Sequence, residues 1–115
     1  MTKFRGPVSC STLAGDSVRN ATGEDLGEIE DVMVDLDTGR IAYAVLSFGG
    51  IVGMGDKLFA IPWEALQISR DEHKFILDVS KDMLKKAPCF DKDNWPDTSD
   101  PEWNIRTRNY WRKAV

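Results

Sequence analysis

Residues 31 to 48, Asp31-Val32-Met33-Val34-Asp35-Leu36-Asp37-Thr38-Gly39-Arg40 followed by Ile41-Ala42-Tyr43-Ala44-Val45-Leu46-Ser47-Phe48, decide the fold. In the first part Val32, Val34 and Leu36 alternate with Asp31, Met33, Asp35 and Asp37, the period of two that marks a half-buried strand. Ile29 lies out of phase with that set, which predicts a bulge or bend near Glu30. Asp37-Thr38-Gly39-Arg40 supplies a turn, with Gly39 taking the positive φ that a tight reversal demands. Ile41 to Phe48 is apolar at successive positions, so this strand is predicted to be central, with both faces covered.

The same period extends in both directions. Asp16 to Asn20 and Asp25 to Ile29 flank a turn at Ala21-Thr22-Gly23-Glu24. Lys57 to Ile61 and Leu66 to Arg70 are short strands separated by Pro62-Trp63-Glu64-Ala65, where Pro62 suits the first position of a single helical turn. Lys74 to Val79 pairs back through a polar connection at Arg70-Asp71-Glu72-His73. No intervening helix is long enough for a parallel crossover, so the expected architecture is mostly β: a small antiparallel β-barrel of about six strands. Beyond Ser80 the pattern changes. Lys81 to Ala87 predicts a short helix stopped by Pro88, and Phe90 to Pro96 an extended or turning segment with two aromatic anchors. A final amphipathic helix starts at Ser99 or Asp100, with Ser99 and Glu102 at capping-box spacing; Trp103, Thr107, Tyr110 and Trp111 fall on one face. The expected organisation is an N-terminal extension over 1–8, a barrel over 9–80 and a helical, Trp-rich tail over 81–115, docked on the barrel or on a dimer partner.

With 115 residues and 42% hydrophobic content the chain is sized for one domain. At 12.9 kDa, about two-thirds of the extended-chain surface can be buried, enough for a core without disulfides. Its net charge of −4 is unevenly spread: the acids crowd residues 16 to 78, whereas no acid follows Glu102 and Arg106, Arg108, Arg112 and Lys113 do. An acidic body argues against a nucleic-acid footprint. The basic tail, interleaved with Tyr110 and Trp111, has base stacking as its sharper reading and the solvated side of an amphipathic helix as its simpler one. The longest uncharged run, Ile41 to Gly55, contains four glycines and is too short to span a bilayer. The start MTKFRGPVSC has no apolar run behind its charges, so no secretory signal is expected, and Cys10 and Cys89 are expected to be free thiols in a reducing cytoplasm.

Residues with chemical potential are few. The glycine-rich Phe48-Gly49-Gly50-Ile51-Val52-Gly53-Met54-Gly55-Asp56-Lys57 lacks the Gly-Lys-Ser/Thr and following helix of a phosphate loop; as an exposed loop, its Ile51, Val52 and Met54 would form an adhesive surface. Asp35-Leu36-Asp37-Thr38-Gly39 opens like a calcium loop, but its glycine comes one place early and Leu46 stands where a glutamate is needed. His73, the only histidine, falls among charged turn residues, and no paired-His or Cys-x-x-Cys spacing exists for zinc. The acidic set Glu24, Asp25, Glu28, Glu30, Asp31, Asp35 and Asp37 suits the solvated side of a strand pair. No catalytic residue, metal ligand or cofactor site is predicted.

Four blocks in order, Ser11-Thr12-Leu13-Ala14-Gly15-Asp16-Ser17-Val18, Gly23 to Asp31 (GEDLGEIED), Asp35 to Tyr43 (DLDTGRIAY) and Lys57 to Leu66 (KLFAIPWEAL), resemble the successive strands of the PRC-barrel family, and APCFDKDNWP at Ala87 to Pro96 resembles the tail of its stand-alone bacterial members. That barrel occurs in the cytoplasmic part of the photosynthetic reaction centre H subunit and in a ribosome maturation factor. The resemblance implies assembly and protein contact rather than catalysis, and the family offers no shared catalytic residues to carry over. The expectation is a cytoplasmic, non-catalytic protein-interaction module, a homodimer with an unidentified protein partner and neither nucleic acid nor a membrane span. Ile51, Val52, Met54, Trp63, Trp95, Trp103, Tyr110 and Trp111 are the candidate contact residues. The alternative is a quinone- or flavin-type ligand held between barrel and tail aromatics in an electron-transfer accessory.

Overall fold

A computed structural model describes residues 6–49, 57–69 and 74–114 of the chain. A short helix α1 (Cys10–Leu13) precedes strands β1 (Ser17–Arg19), β2 (Asp25–Asp35), β3 (Arg40–Phe48) and β4 (Lys57–Pro62). A 3-10 turn at Trp63–Ala65 leads into β5 (Leu66–Ser69) and β6 (Lys74–Leu77), followed by helices α2 (Lys81–Lys86) and α3 (Pro101–Ala114). The six strands form one sheet in the order β4-β3-β2-β1-β6-β5. Its two edges, β4 and β5, are consecutive in the chain and joined by that three-residue turn. Three residues of 3-10 helix advance only about 6 Å. The opposite edges are therefore drawn together, and the sheet curls into a half-barrel around a single interior.

The β2–β3 hairpin builds the centre of this sheet. Register shifts between Ile29 and Asp31 and between Met33 and Val34 mark two bulges. The first leaves Glu30 as the extra residue, as the broken phase at Ile29 predicts, and so turns both Ile29 and Val32 inward, opposite Leu46 and Ala44. Gly39 closes the hairpin at φ 73°, its amide donating to the Asp35 carbonyl at 2.8 Å. Strand β3 is central and covered on both faces: Ala44, Leu46 and Phe48 enter the core, while Tyr43 and Val45 are buried on the opposite side.

Three details differ from the sequence expectation. Val34 is 48% exposed and Leu36 93% exposed, because the second bulge shifts the inward phase and the hairpin tip runs past the end of the core. Strand β1 pairs with β6 in parallel, Val18 opposite Phe75, so four of the five pairings are antiparallel rather than all of them. Long connections separate β1 from β6 in the chain, which leaves their relative direction free of any hairpin constraint. Finally, Asp100 rather than the Ser99–Glu102 pair caps α3: its carboxylate accepts from the Glu102 amide at 3.0 Å, while the Ser99 hydroxyl donates to Asp97 at 2.6 Å.

The core joins Leu26, Ile29, Leu46, Phe59, Ile61, Phe75 and Leu77 from the strands to Leu13, Leu84 and Trp111 from the helices and to Ala87 just past the end of α2. Asn20 is buried and hydrogen-bonded through both side-chain polar atoms at the β1–β2 turn: its Oδ1 accepts from the Thr22 hydroxyl and from the Glu24 amide, and its Nδ2 donates to the Glu24 carboxylate.

Gly27 is required where β2 crosses β3. It sits at φ 116°, and a Cβ there would lie 2.0 Å from the Ser47 carbonyl oxygen. Gly23, at φ 90°, has nothing within 4 Å. Substitution Gly27→Ala is expected to lower unfolding free energy by at least about 3 kcal/mol, and Gly23→Ala by only about 1 kcal/mol, read as midpoints in urea denaturation.

Candidate functional site

A concavity of about 490 Å³ opens between the outer face of β4, the segment 88–96 and α3. Its first wall is made by a strand-like contact at the sheet edge. Leu58 and Phe90 exchange two backbone hydrogen bonds, both 2.9 Å, and Lys57 Nζ donates to Asp91 Oδ1 at 2.6 Å. Pro88 stops α2 and frees the chain to run beside β4. The chain then reverses, the Asn94 amide donating to the Asp91 carbonyl at 3.0 Å, and Trp95 returns across Phe90 with ring centroids 4.9 Å apart.

The second wall is α3. Asn104 Nδ2 donates to the carbonyls of Thr98 and Asp100, at 2.9 and 3.0 Å, and its Oδ1 accepts from the Tyr43 hydroxyl at 2.7 Å. This one side chain ties the incoming segment, the start of the helix and strand β3 together. Trp103 meets the Tyr43 ring edge to face at 5.3 Å, and the Arg108 guanidinium stands 5.0 Å above the same ring while pairing with Glu64. Further along, Trp111 is 1% exposed inside the core, with its indole N–H unpartnered among the described residues. The Tyr110 hydroxyl donates to the Met83 carbonyl on α2.

Of the residues singled out from the sequence, Trp95 and Trp103 meet at the cleft. Trp63 instead packs on the core, its ring 5.9 Å from Phe75; Tyr110 bridges the two helices; and Trp111 belongs to the core itself. Ile51, Val52, Met54 and His73 lie outside the described residues. Asn94 and Ala60 line the cleft without any mark in the sequence, and Arg106 and Thr107, read there as a basic and a face residue of the final helix, line it as well. Thr107 and Arg106 follow Trp103 by one helical turn or less, so that helical spacing was the available signal. Cys10 and Cys89 are exposed and free. Among the described residues no group of three His, Cys, Asp or Glu side chains converges as a metal site, and no helix is long and apolar enough to cross a membrane.

Burial raises the Tyr43 phenol above its usual range, with the Arg108 charge opposing, and burial alone raises Tyr110. The hydrogen bond to Asp91 raises Lys57, and those from the Ser99 hydroxyl and amide lower Asp97.

The family model described as PRC-barrel domain matches residues 7–84. Among solved structures, the 16S ribosomal RNA processing protein RimM of Pseudomonas aeruginosa matches at 17% identity with a TM-score of 0.44, over 71% of this chain and 50% of that one. This chain thus aligns with half the length of that protein. None of the curated proteins matches.

Trp111→Ala is expected to cost about 3 to 5 kcal/mol in urea unfolding followed by circular dichroism, against less than about 1 kcal/mol for the exposed Trp95→Ala. Both tyrosines are expected to ionise above their ordinary value in the folded protein, seen as delayed phenolate absorbance. Since the native state then holds its phenolic protons more tightly than the unfolded chain, stability is full below the unfolded pKa near 10 and falls as pH rises through the native ones.

Proposed function

Since this chain belongs to the PRC-barrel domain family, we propose that it works as a non-catalytic protein-interaction or assembly module of the cytoplasm whose docking surface is the cleft beside β4. The observation that carries this reading is Trp95, which is 40% exposed yet held in place against Phe90, beside Trp103. A large amphipathic ring with two torsions, already packed on one side, is what binding anchors are made of. In this reading residues 9–80 are the barrel, 81–115 supply the second wall of the cleft, and 1–8 precede the domain. Ile51, Val52 and Met54 are proposed, on their apolar character alone, as an accessory adhesive loop.

A planar ligand of quinone or flavin type is a second reading, favoured by aromatic walls and by a volume that falls within the usual range of small-molecule sites. Protein docking is preferred because Trp95, the aromatic that carries the site, keeps 40% of its surface in solvent.

Affinity capture from native lysate with the wild-type chain and with Trp95→Ala tests the leading reading. The expected result is a specific partner retained by the wild type and lost at least about tenfold in the variant. Equal retention by both removes the cleft as the docking surface. A quinone or flavin that raises the melting temperature of the wild type but not of Trp95→Ala establishes the second reading instead.

A further inference from the structure

We propose that the occupant of this cleft is a second copy of the same chain, with the β2–β3 hairpin tip, Asp35-Leu36-Asp37, of one protomer seated between Trp95 and Trp103 of another. The inference rests on the reading of the cleft as a protein-docking surface and supplies its partner.

Leu36 is 93% exposed, the most exposed large hydrophobic side chain among the described residues, with Val34 at 48% beside it. It is displayed on a stiff turn. Asp35 Oδ1 accepts from the Asp37 amide at 2.9 Å, the Gly39 amide donates to the Asp35 carbonyl at 2.8 Å, and Thr38 Oγ1 accepts from the Arg40 amide at 3.2 Å. The backbone that carries Leu36 is thus ordered before any partner arrives, so docking has only the leucine side chain itself left to fix. Its neighbours on both sides are carboxylates.

The cleft offers the complementary chemistry. Phe90, Trp95 and Trp103 give it apolar walls, and Arg106 lines it without a carboxylate partner among the described residues. The charges match over a wider area too: Asp25, Glu28, Glu30, Asp31, Asp35 and Asp37 line β2 and its turn, whereas α3 presents Arg106, Arg112 and Lys113. Among the described residues the tip stays in solvent and Arg106 has no carboxylate partner, so the aspartates on either side of Leu36 and this arginine remain to be matched between molecules. Reciprocal exchange of tip and cleft closes a two-fold dimer.

Sedimentation equilibrium of the full chain up to about 1 mM tests this. The wild type is expected to self-associate, more weakly as salt is raised, and Leu36→Ser and Arg106→Glu are each expected to weaken association at least about tenfold. Asp37→Arg weakens it as well, and the double variant Asp37→Arg/Arg106→Glu restores it by exchanging the two charges. All three positions are exposed, so unchanged circular dichroism and melting temperature exclude misfolding as the cause. A wild type that stays monomeric throughout, or association unaffected by Leu36→Ser, overturns the proposal. A monomeric chain that still captures another protein through Trp95 overturns only this occupant and leaves the interaction reading standing.

Discussion

The turn Trp63–Ala65 joins strands that sit at opposite ends of a six-stranded sheet, and almost every other feature of the molecule follows from that short tether. An open sheet of six twisted strands would separate its edges by several strand spacings of about 4.8 Å. Three residues cannot bridge that distance on a flat sheet, so the sheet has to curl. Curling is made possible by the two bulges in the β2–β3 pairing, which bend the longest hairpin, and by Gly27, which lets β2 run hard against the backbone of β3. The interior that results is shared by all six strands, and helices α1, α2 and α3 each add a side chain to it: Leu13, Leu84 and Trp111.

Much of this was legible in the sequence because it depends on local chemistry. The phase break at Ile29, the glycine at position 39 and the doubly apolar run of β3 each encode one backbone decision, and the structure follows each of them. What escaped is set by distance rather than pattern. Val34 and Leu36 continue an inward alternation, but alternation says nothing of where the core ends, and a bulge on the partner strand changes the phase without any mark in β2 itself. The parallel pairing of β1 with β6 likewise joins segments more than fifty residues apart, so no turn chemistry could announce it. At α3 the competition was between two adjacent caps, and Ser99 is diverted by the nearer Asp97 carboxylate.

The site divides along the same line. The apolar face Trp103, Thr107, Tyr110 and Trp111 was readable as a helical stripe, and Phe90 with Trp95 as paired anchors. Their different fates were not readable. Trp111 passes into the barrel interior, Trp103 settles on Tyr43 over the outer face of β3, and Trp95 remains half in solvent against Phe90. Each outcome depends on which surface the curled sheet presents to the tail, and that shape exists only after the edges have met.

The expectation of a dimer acquires a different physical basis as a consequence. The sequence leaves the Trp-rich tail to dock on the barrel or on a dimer partner, and the tail's own barrel accepts Trp111 completely and shields Trp103 in part. Most of that apolar surface is already covered within one chain, so it exerts little pull toward a partner. Two points of the residual surface are polarised: an outward leucine between aspartates at one end of β2, and a partly exposed tryptophan near an arginine without a carboxylate partner among the described residues. The turn that carries the leucine is tied by internal hydrogen bonds and the tryptophan is packed against Phe90, so the backbone of the one and the ring of the other are ordered before binding. Opposite charges at two rigid apolar points favour orientation over sheer burial, and they make any association here a matter of a few anchor residues and ionic strength rather than of a broad hydrophobic face.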